Sequence, residues 1–123
     1  MKNLKKIWLT VSLALSLFCL SNAHAAFKNS GTFQSNVVEI VTNDLLNDGK
    51  FIGLNSVNLT CNTFSGKGYI KSPLIIITAK EFKFEGTIEC NGECRIITKK
   101  AFNLDMFKRA GSGTFTFEVN ENL

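Results

Sequence analysis

Beyond residue 25 the chain contains no histidine and no tryptophan, because its one histidine, His24, and its one tryptophan, Trp8, both lie before that point. A domain without imidazole has no Ser-His or Cys-His nucleophilic pair and no metal centre that depends on histidine ligands. Excess charge is missing too. The whole chain carries +4, but Lys2, Lys5 and Lys6 are three of its fourteen basic residues, which leaves eleven basic against ten acidic side chains in the rest. That balance gives a nucleic-acid-binding patch no support. Aspartate is scarce, with only Asp44, Asp48 and Asp105, so a catalytic carboxylate pair has few candidates. No helical stripe is sustained after residue 25, which argues against a helical domain.

The opening, MKNLKKIWLTVSLALSLFCLSNAHA, places three lysines before an apolar or small-residue run from Ile7 to Leu20 and then Ala23-His24-Ala25. This is the layout of a removable secretory signal, with cleavage expected between Ala25 and Ala26. A membrane anchor needs about 20 apolar residues, and this run is shorter and ends at a small-x-small site. No membrane span is expected once the signal is gone. Lipidation at Cys19 is disfavoured by the bulky Phe18 before it. The remainder, 26–123, is expected to form a single domain, and it holds ten of the eleven phenylalanines, an apolar load that fits a folded domain.

In that remainder a phrase recurs from Gly31, Gly49, Gly68 and Gly86, and opens again at Gly113, at intervals of 18, 19, 18 and 27 residues. The third position of each phrase is Phe33, Phe51, Ile70, Ile88 and Phe115. The fifth is compact at Ser35, Gly53, Ser72 and Cys90, and Phe117 departs from it. Alternating pairs follow at Val38/Ile40, Val57/Leu59, Ile75/Ile77 and Cys94/Ile96, and a further bulky residue at Leu45, Phe64, Phe82 and Phe102. Alternation over short runs is the strand signature. A unit of 18 to 19 residues cannot bury its own apolar face, whereas stacked units can. The expectation is an all-β fold: a short right-handed parallel β-helix, or β-solenoid, of about four to five coils. The alternative is an antiparallel β-sandwich of short strands. The longer last interval is expected to hold an insertion at about 103–112, with a short amphipathic helix over Ala101–Ala110 that caps the stack.

The run NSGTFQSNVVEIVTNDLLNDGKFIGLNSVNLTCNTFSGKGYI resembles the repeats of filamentous-haemagglutinin-type adhesins, in which a Gly-x-Ile phrase, an alternating strand and an Asn- and Gly-marked corner recur. The resemblance covers about 29–102. It implies a β-helix and display at a surface, while the great length and secretion domain of those adhesins are missing here.

The stretch TIECNGECRII sets Cys90 and Cys94 on either side of Asn91-Gly92, a tight-turn dipeptide. In an oxidising compartment the pair is expected to form a disulfide that stiffens a corner. A metal site is not expected, because three cysteines without histidine fall short of a zinc set and the spacing is not C-x2-C. A redox-active pair would need C-x-x-C at a helix start. Cys61 shares the parity of Val57 and Leu59, which makes it a buried thiol, and its pairing with Cys90 or Cys94 stays open. Glu81, Glu85, Glu89 and Glu93 recur every four residues and are expected on the solvent side, balanced by nearby lysines.

These readings lead to an exported, non-catalytic binding or structural protein of the periplasm, outer surface or secreted fraction. It needs no cofactor, and its partner is a glycan, an envelope component or a host or cell-surface protein. Met106, Phe107, Lys108 and Arg109 are the candidate contact surface, and exposed solenoid ends allow self-association. The alternatives are a carbohydrate-active enzyme of β-helix type, using carboxylates such as Asp44 and Asp48, and the remnant of a longer adhesin.

Overall fold

The computed structural model describes residues 26–123; the expected signal at residues 1–25, with Cys19, lies outside the described residues. Eight strands follow one another: β1 Ala26–Asn29, β2 Thr32–Val41, β3 Asp44–Asn47, β4 Lys50–Gly66, β5 Tyr69–Phe84, β6 Thr87–Thr98, β7 Lys108–Ala110 and β8 Thr114–Val119. Among the described residues every strand pairing is parallel. That excludes the antiparallel sandwich and establishes a β-solenoid of about five turns.

The register resolves each turn into three legs. The first leg stacks Thr32–Ser35, Lys50–Gly53, Tyr69–Ser72, Thr87–Cys90 and Lys108–Ala110. A second leg stacks Val37–Val41, Ser56–Cys61, Leu74–Ala79, Glu93–Thr98 and Thr114–Val119. The third stacks Ala26–Asn29, Asp44–Asn47, Thr63–Gly66 and Glu81–Phe84. Successive rows of a parallel sheet lie about 4.8 Å apart.

Alternation puts one side of each leg inward, and the rows align the inward residues into columns. Phe33, Phe51, Ile70 and Ile88 form one. Val38, Val57, Ile75, Cys94 and Phe115 form a second, and Ile40, Leu59, Ile77, Ile96 and Phe117 a third. The third leg contributes Phe27, Leu45, Phe64 and Phe82. From Phe51 to Ile96 these residues are almost wholly buried, and the phenylalanines pair edge-to-face or stacked, as Phe64 does with Phe84 at 4.7 Å between centroids.

The corner entering the first leg explains the glycine period. A Cβ on Gly49 would lie 2.0 Å from the Gly31 carbonyl oxygen, one on Gly68 2.2 Å from that of Gly49, and one on Gly86 2.0 Å from that of Gly68. Each corner closes directly on the one below, so no side chain fits. Just before this corner, buried Asn47 carries the turn: its Oδ1 accepts from Asn29 Nδ2 at 3.0 Å and from Gly49 N–H at 3.2 Å, and its Nδ2 donates to the Tyr69 carbonyl at 3.2 Å.

The last row corrects the sequence reading. Gly113 stacks on Gly92 and not on Gly86, and Phe115 joins the column of Cys94, while Ile88 is followed by Arg109. Thr87 pairs with Lys108, 21 residues on, where Tyr69 pairs with Thr87, 18 residues on. The row is therefore lengthened by three residues (21 − 18), not nine. A first-leg strand, β7, was hidden in the supposed insertion because Phe107 stands where the corner glycine would be and Arg109 where the inward apolar residue would be.

The expected helix over Ala101–Ala110 is absent. A single 3-10 turn, Leu104–Met106, follows Asn103, whose Oδ1 accepts from Asp105 N–H at 2.9 Å, and the chain then enters β7. Phe102 and Phe107 both reach Phe82, at 4.6 and 5.4 Å. Residues five apart point about 140° away from each other on a helix, so a helix could not make both contacts.

Candidate functional site

Cys90 and Cys94 are both fully buried and flank the corner between the first and second legs of the fourth row, and the structure records both as free thiols. Burial, and then the neighbouring Cys90, push the Cys94 thiol up to about 12, and burial raises Cys90 as well. Cys61 is buried at the far end of the second leg in the second row, aligned with Ala79. Burial, then the nearby Asp44 charge, hold its thiol at about 12. None of these is a reactive thiolate at neutral pH.

Of the four residues proposed as a contact surface, Phe107 is buried in the core and Met106 half-buried, so only Lys108 and Arg109 are exposed. The Arg109 guanidinium sits 5.8 Å above the Phe117 ring, a cation–π contact over the last apolar row. The aspartates do not converge. Asp44 faces outward on the third leg, Asp48 stands at the following corner and accepts from Lys67 N–H at 3.0 Å, and Asp105 belongs to the 3-10 turn. Glu81, Glu85, Glu89 and Glu93 point outward but on successive sides of the coil: the third leg, a corner, the first leg and the start of the second leg. A period of four residues in a three-legged coil distributes side chains around the perimeter instead of collecting them.

The surface feature that sequence reading missed lies on the corner between the first and second legs. Val37, Leu54 and Leu74, in the first, second and third rows, are 43%, 56% and 38% exposed. The three do not share a column: Val37 pairs with Ser56, and Leu54 lies in the irregular stretch between Ile52 and Val57, so they are separate exposed side chains around one corner. Their signal was present: Val37-Val38 and Leu74-Ile75 are adjacent apolar pairs, and alternation allows only one of each pair to face the core. The outward columns on either side are mixed, with Gln34, Ile52, Lys71 and Glu89 on the first leg and Glu39, Asn58, Ile76 and Arg95 on the second.

Two contacts stiffen that surround. Tyr69 Oη donates to Glu89 Oε1 at 2.5 Å, and Lys71 Nζ lies 3.8 Å from Glu89 Oε2. Burial first, then the hydrogen bond and charge of Glu89, raise the Tyr69 phenol to about 12. On the second leg, Arg95 pairs with Glu118 at 2.6 Å. Exposed aliphatic side chains gathered at one corner, with ordered polar groups nearby, are features found at macromolecular contact surfaces.

No protein-family model, no curated protein and no solved structure matches the chain. The solenoid of about five turns is consistent with β-helix repeats in general, and no family match names the filamentous-haemagglutinin type.

Proposed function

We propose that this β-solenoid is an exported binding or structural protein of the cell envelope or surface, working without catalysis and related in style to the adhesin repeats. The observation that supports this reading is the exposure of Val37, Leu54 and Leu74, one aliphatic side chain in each of three consecutive rows around one corner. The partner that corner fits best is an envelope or cell-surface protein with an apolar strip of its own.

Two measurements test this. Fractionation of the producing cell with intact-mass analysis is expected to find a chain starting at Ala26 outside the cytoplasm; an intact, cytoplasmic chain refutes export. Binding of the purified protein to washed envelopes is expected to fall at least tenfold in the Leu54→Ser/Leu74→Ser variant with its unfolding midpoint unchanged. Polysaccharide turnover that disappears in Asp44→Asn or Asp48→Asn would instead establish the carbohydrate-active alternative.

A further inference from the structure

We infer that the outer face of the third leg, in the third and fourth rows, is a docking surface for an anionic lipid bilayer, with Lys80, Lys83, Lys99 and Lys100 meeting the headgroup charge and Leu104 entering the headgroup–acyl boundary. Lys80 stands at the corner before the third leg, and Lys83 follows on its outer side in register with Ser65. The next row sets two more lysines beside them. Lys99 N–H donates to the Lys80 carbonyl at 3.3 Å, and the Phe102 ring lies 4.6 Å from that of Phe82, so 99–103 continues the third leg by one row although it is not a strand. The Thr98 hydroxyl donates to the Lys100 carbonyl at 2.7 Å, which fixes the backbone there. Lys80, Lys83 and Lys100 are exposed and Lys99 is half-buried.

This charge is uncompensated. Sequence reading expects the lysines to balance Glu81, Glu85, Glu89 and Glu93, yet the ion pairs among the described residues are Lys71–Glu89 and Arg95–Glu118, and neither includes any of these four lysines. Glu81 accepts from the Thr63 hydroxyl at 3.4 Å instead, and Asp105, in the 3-10 turn, is the other carboxylate on this side. Of the eleven basic and ten acidic residues after residue 25, four basic and two acidic lie here, so a chain close to neutral carries a positive patch. Like charges held on adjacent rows, about 4.8 Å apart, repel one another, and an anionic partner relieves that repulsion.

The apolar group beside the charge selects a lipid surface over a soluble polyanion. Leu104 is 38% exposed in the 3-10 turn, and half-buried Phe102 and Met106 flank it in sequence. Basic side chains bordering exposed apolar ones make up the elements that lie in the interface of an anionic membrane. In a three-legged coil the third leg is the side opposite the corner of Val37, Leu54 and Leu74, so a chain resting on lipid by this face turns that corner outward to a protein partner. The biological setting rests on the proposed envelope location, whereas the binding itself does not.

The test is co-sedimentation of the protein, as isolated from the producing cell, with vesicles of phosphatidylcholine alone and of equal parts phosphatidylcholine and phosphatidylglycerol. Stronger binding is expected to the anionic vesicles, weakening as salt is raised. At about fivefold per lysine, Lys99→Gln/Lys100→Gln should lower the partition coefficient about 30-fold, and Leu104→Ser about threefold or more, both with the urea midpoint of the parent. Lys50→Gln/Lys71→Gln, on the first leg, should bind as the parent does. No binding, equal binding to the two vesicle types, or a Lys99→Gln/Lys100→Gln protein that binds like the parent overturns the inference. Anionic binding that Leu104→Ser leaves unchanged also overturns it, in favour of a soluble polyanion, for which dextran sulfate is the probe. Should intact mass show residues 1–25 still present, the export reading fails on its own, and this inference is still read from the difference between the vesicle types and from the lysine variant.

Discussion

Replacing Asn47 with alanine tests whether rows are locked to one another by buried side chains as well as by the sheet. Asn47 is completely buried and makes three hydrogen bonds, one accepted from Asn29, one accepted from the Gly49 N–H and one donated to the Tyr69 carbonyl. If all three partners were left without bonds inside the fold, the cost would be about 1–3 kcal/mol each. Two are not. Asn29 Nδ2 also donates to the Lys50 carbonyl at 3.1 Å, and Gly49 N–H is also bonded to the Asn29 carbonyl at 3.0 Å. Those two bonds then count at their net worth of about 1 kcal/mol or less, and the Tyr69 carbonyl loses its side-chain donor. The expected loss is about 2–3 kcal/mol.

Urea unfolding at neutral pH measures this, together with Asn29→Ala and the double variant. Asn29 lies in the first row, so its removal alone should cost less, about 1 kcal/mol, and the double-variant cycle should show a coupling near 1 kcal/mol. Asn47→Asp should do at least as much damage as alanine, because it keeps the acceptor but buries a carboxylate. An Asn47→Ala protein within about 0.5 kcal/mol of wild type, or strictly additive single changes, would refute the argument that this ladder ties the rows together.

Other consequences can be measured on the same instrument. Gly66 has φ +117° and a Cβ there would lie 2.2 Å from the Asn47 carbonyl oxygen, so Gly66→Ala should cost about 2 kcal/mol or more; a neutral result would mean the corner is not closed as described. Phe64 is fully buried against Phe82 and Phe84, and Phe64→Ala should lose about 3–5 kcal/mol, a prediction that a loss below 1 kcal/mol would defeat. The Cys61 thiol is raised from 9.0 to about 12, so the folded chain holds this proton more tightly than the unfolded one. The resulting stabilisation is full below pH 9, is lost as pH climbs towards 12, and should be missing from the alkaline unfolding profile of Cys61→Val; an identical slope in both proteins would refute it.

The interior was legible because stacking makes it repetitive. Phe51 must be followed one row later by something that fits between it and Ile88, and Ile70 does so. The glycines at residues 49, 68 and 86 repeat for an equally local reason, the carbonyl beneath each of them. Sequence reading failed where a row breaks both rules together. In the last row Phe107 replaces the corner glycine and Arg109 replaces the inward apolar residue, so the next visible glycine, Gly113, was assigned to the wrong corner. Arg109 can stand in a core column because its guanidinium turns out over Phe117, an arrangement open to a final row and closed to an interior one.

The same physics explains why the exposed aliphatic residues at this corner were overlooked. Inward columns are constrained by the neighbours above and below, whereas outward columns meet only solvent and drift: Gln34, Ile52, Lys71, Glu89 and Ala110 share one column and no chemistry. Periodicity therefore says nothing about the exterior. A contact surface on a solenoid emerges only when residues from different rows are brought to one corner. Val37, Leu54 and Leu74 sit 17 and 20 residues apart (54 − 37 and 74 − 54) because they are not equivalent positions: Val37 pairs with Ser56, and Leu54, the most exposed of the three, lies within the irregular stretch between Ile52 and Val57. That irregularity is what an evolving binding surface requires: the legs fix the scaffold, and the corners can change length without disturbing the columns beneath them.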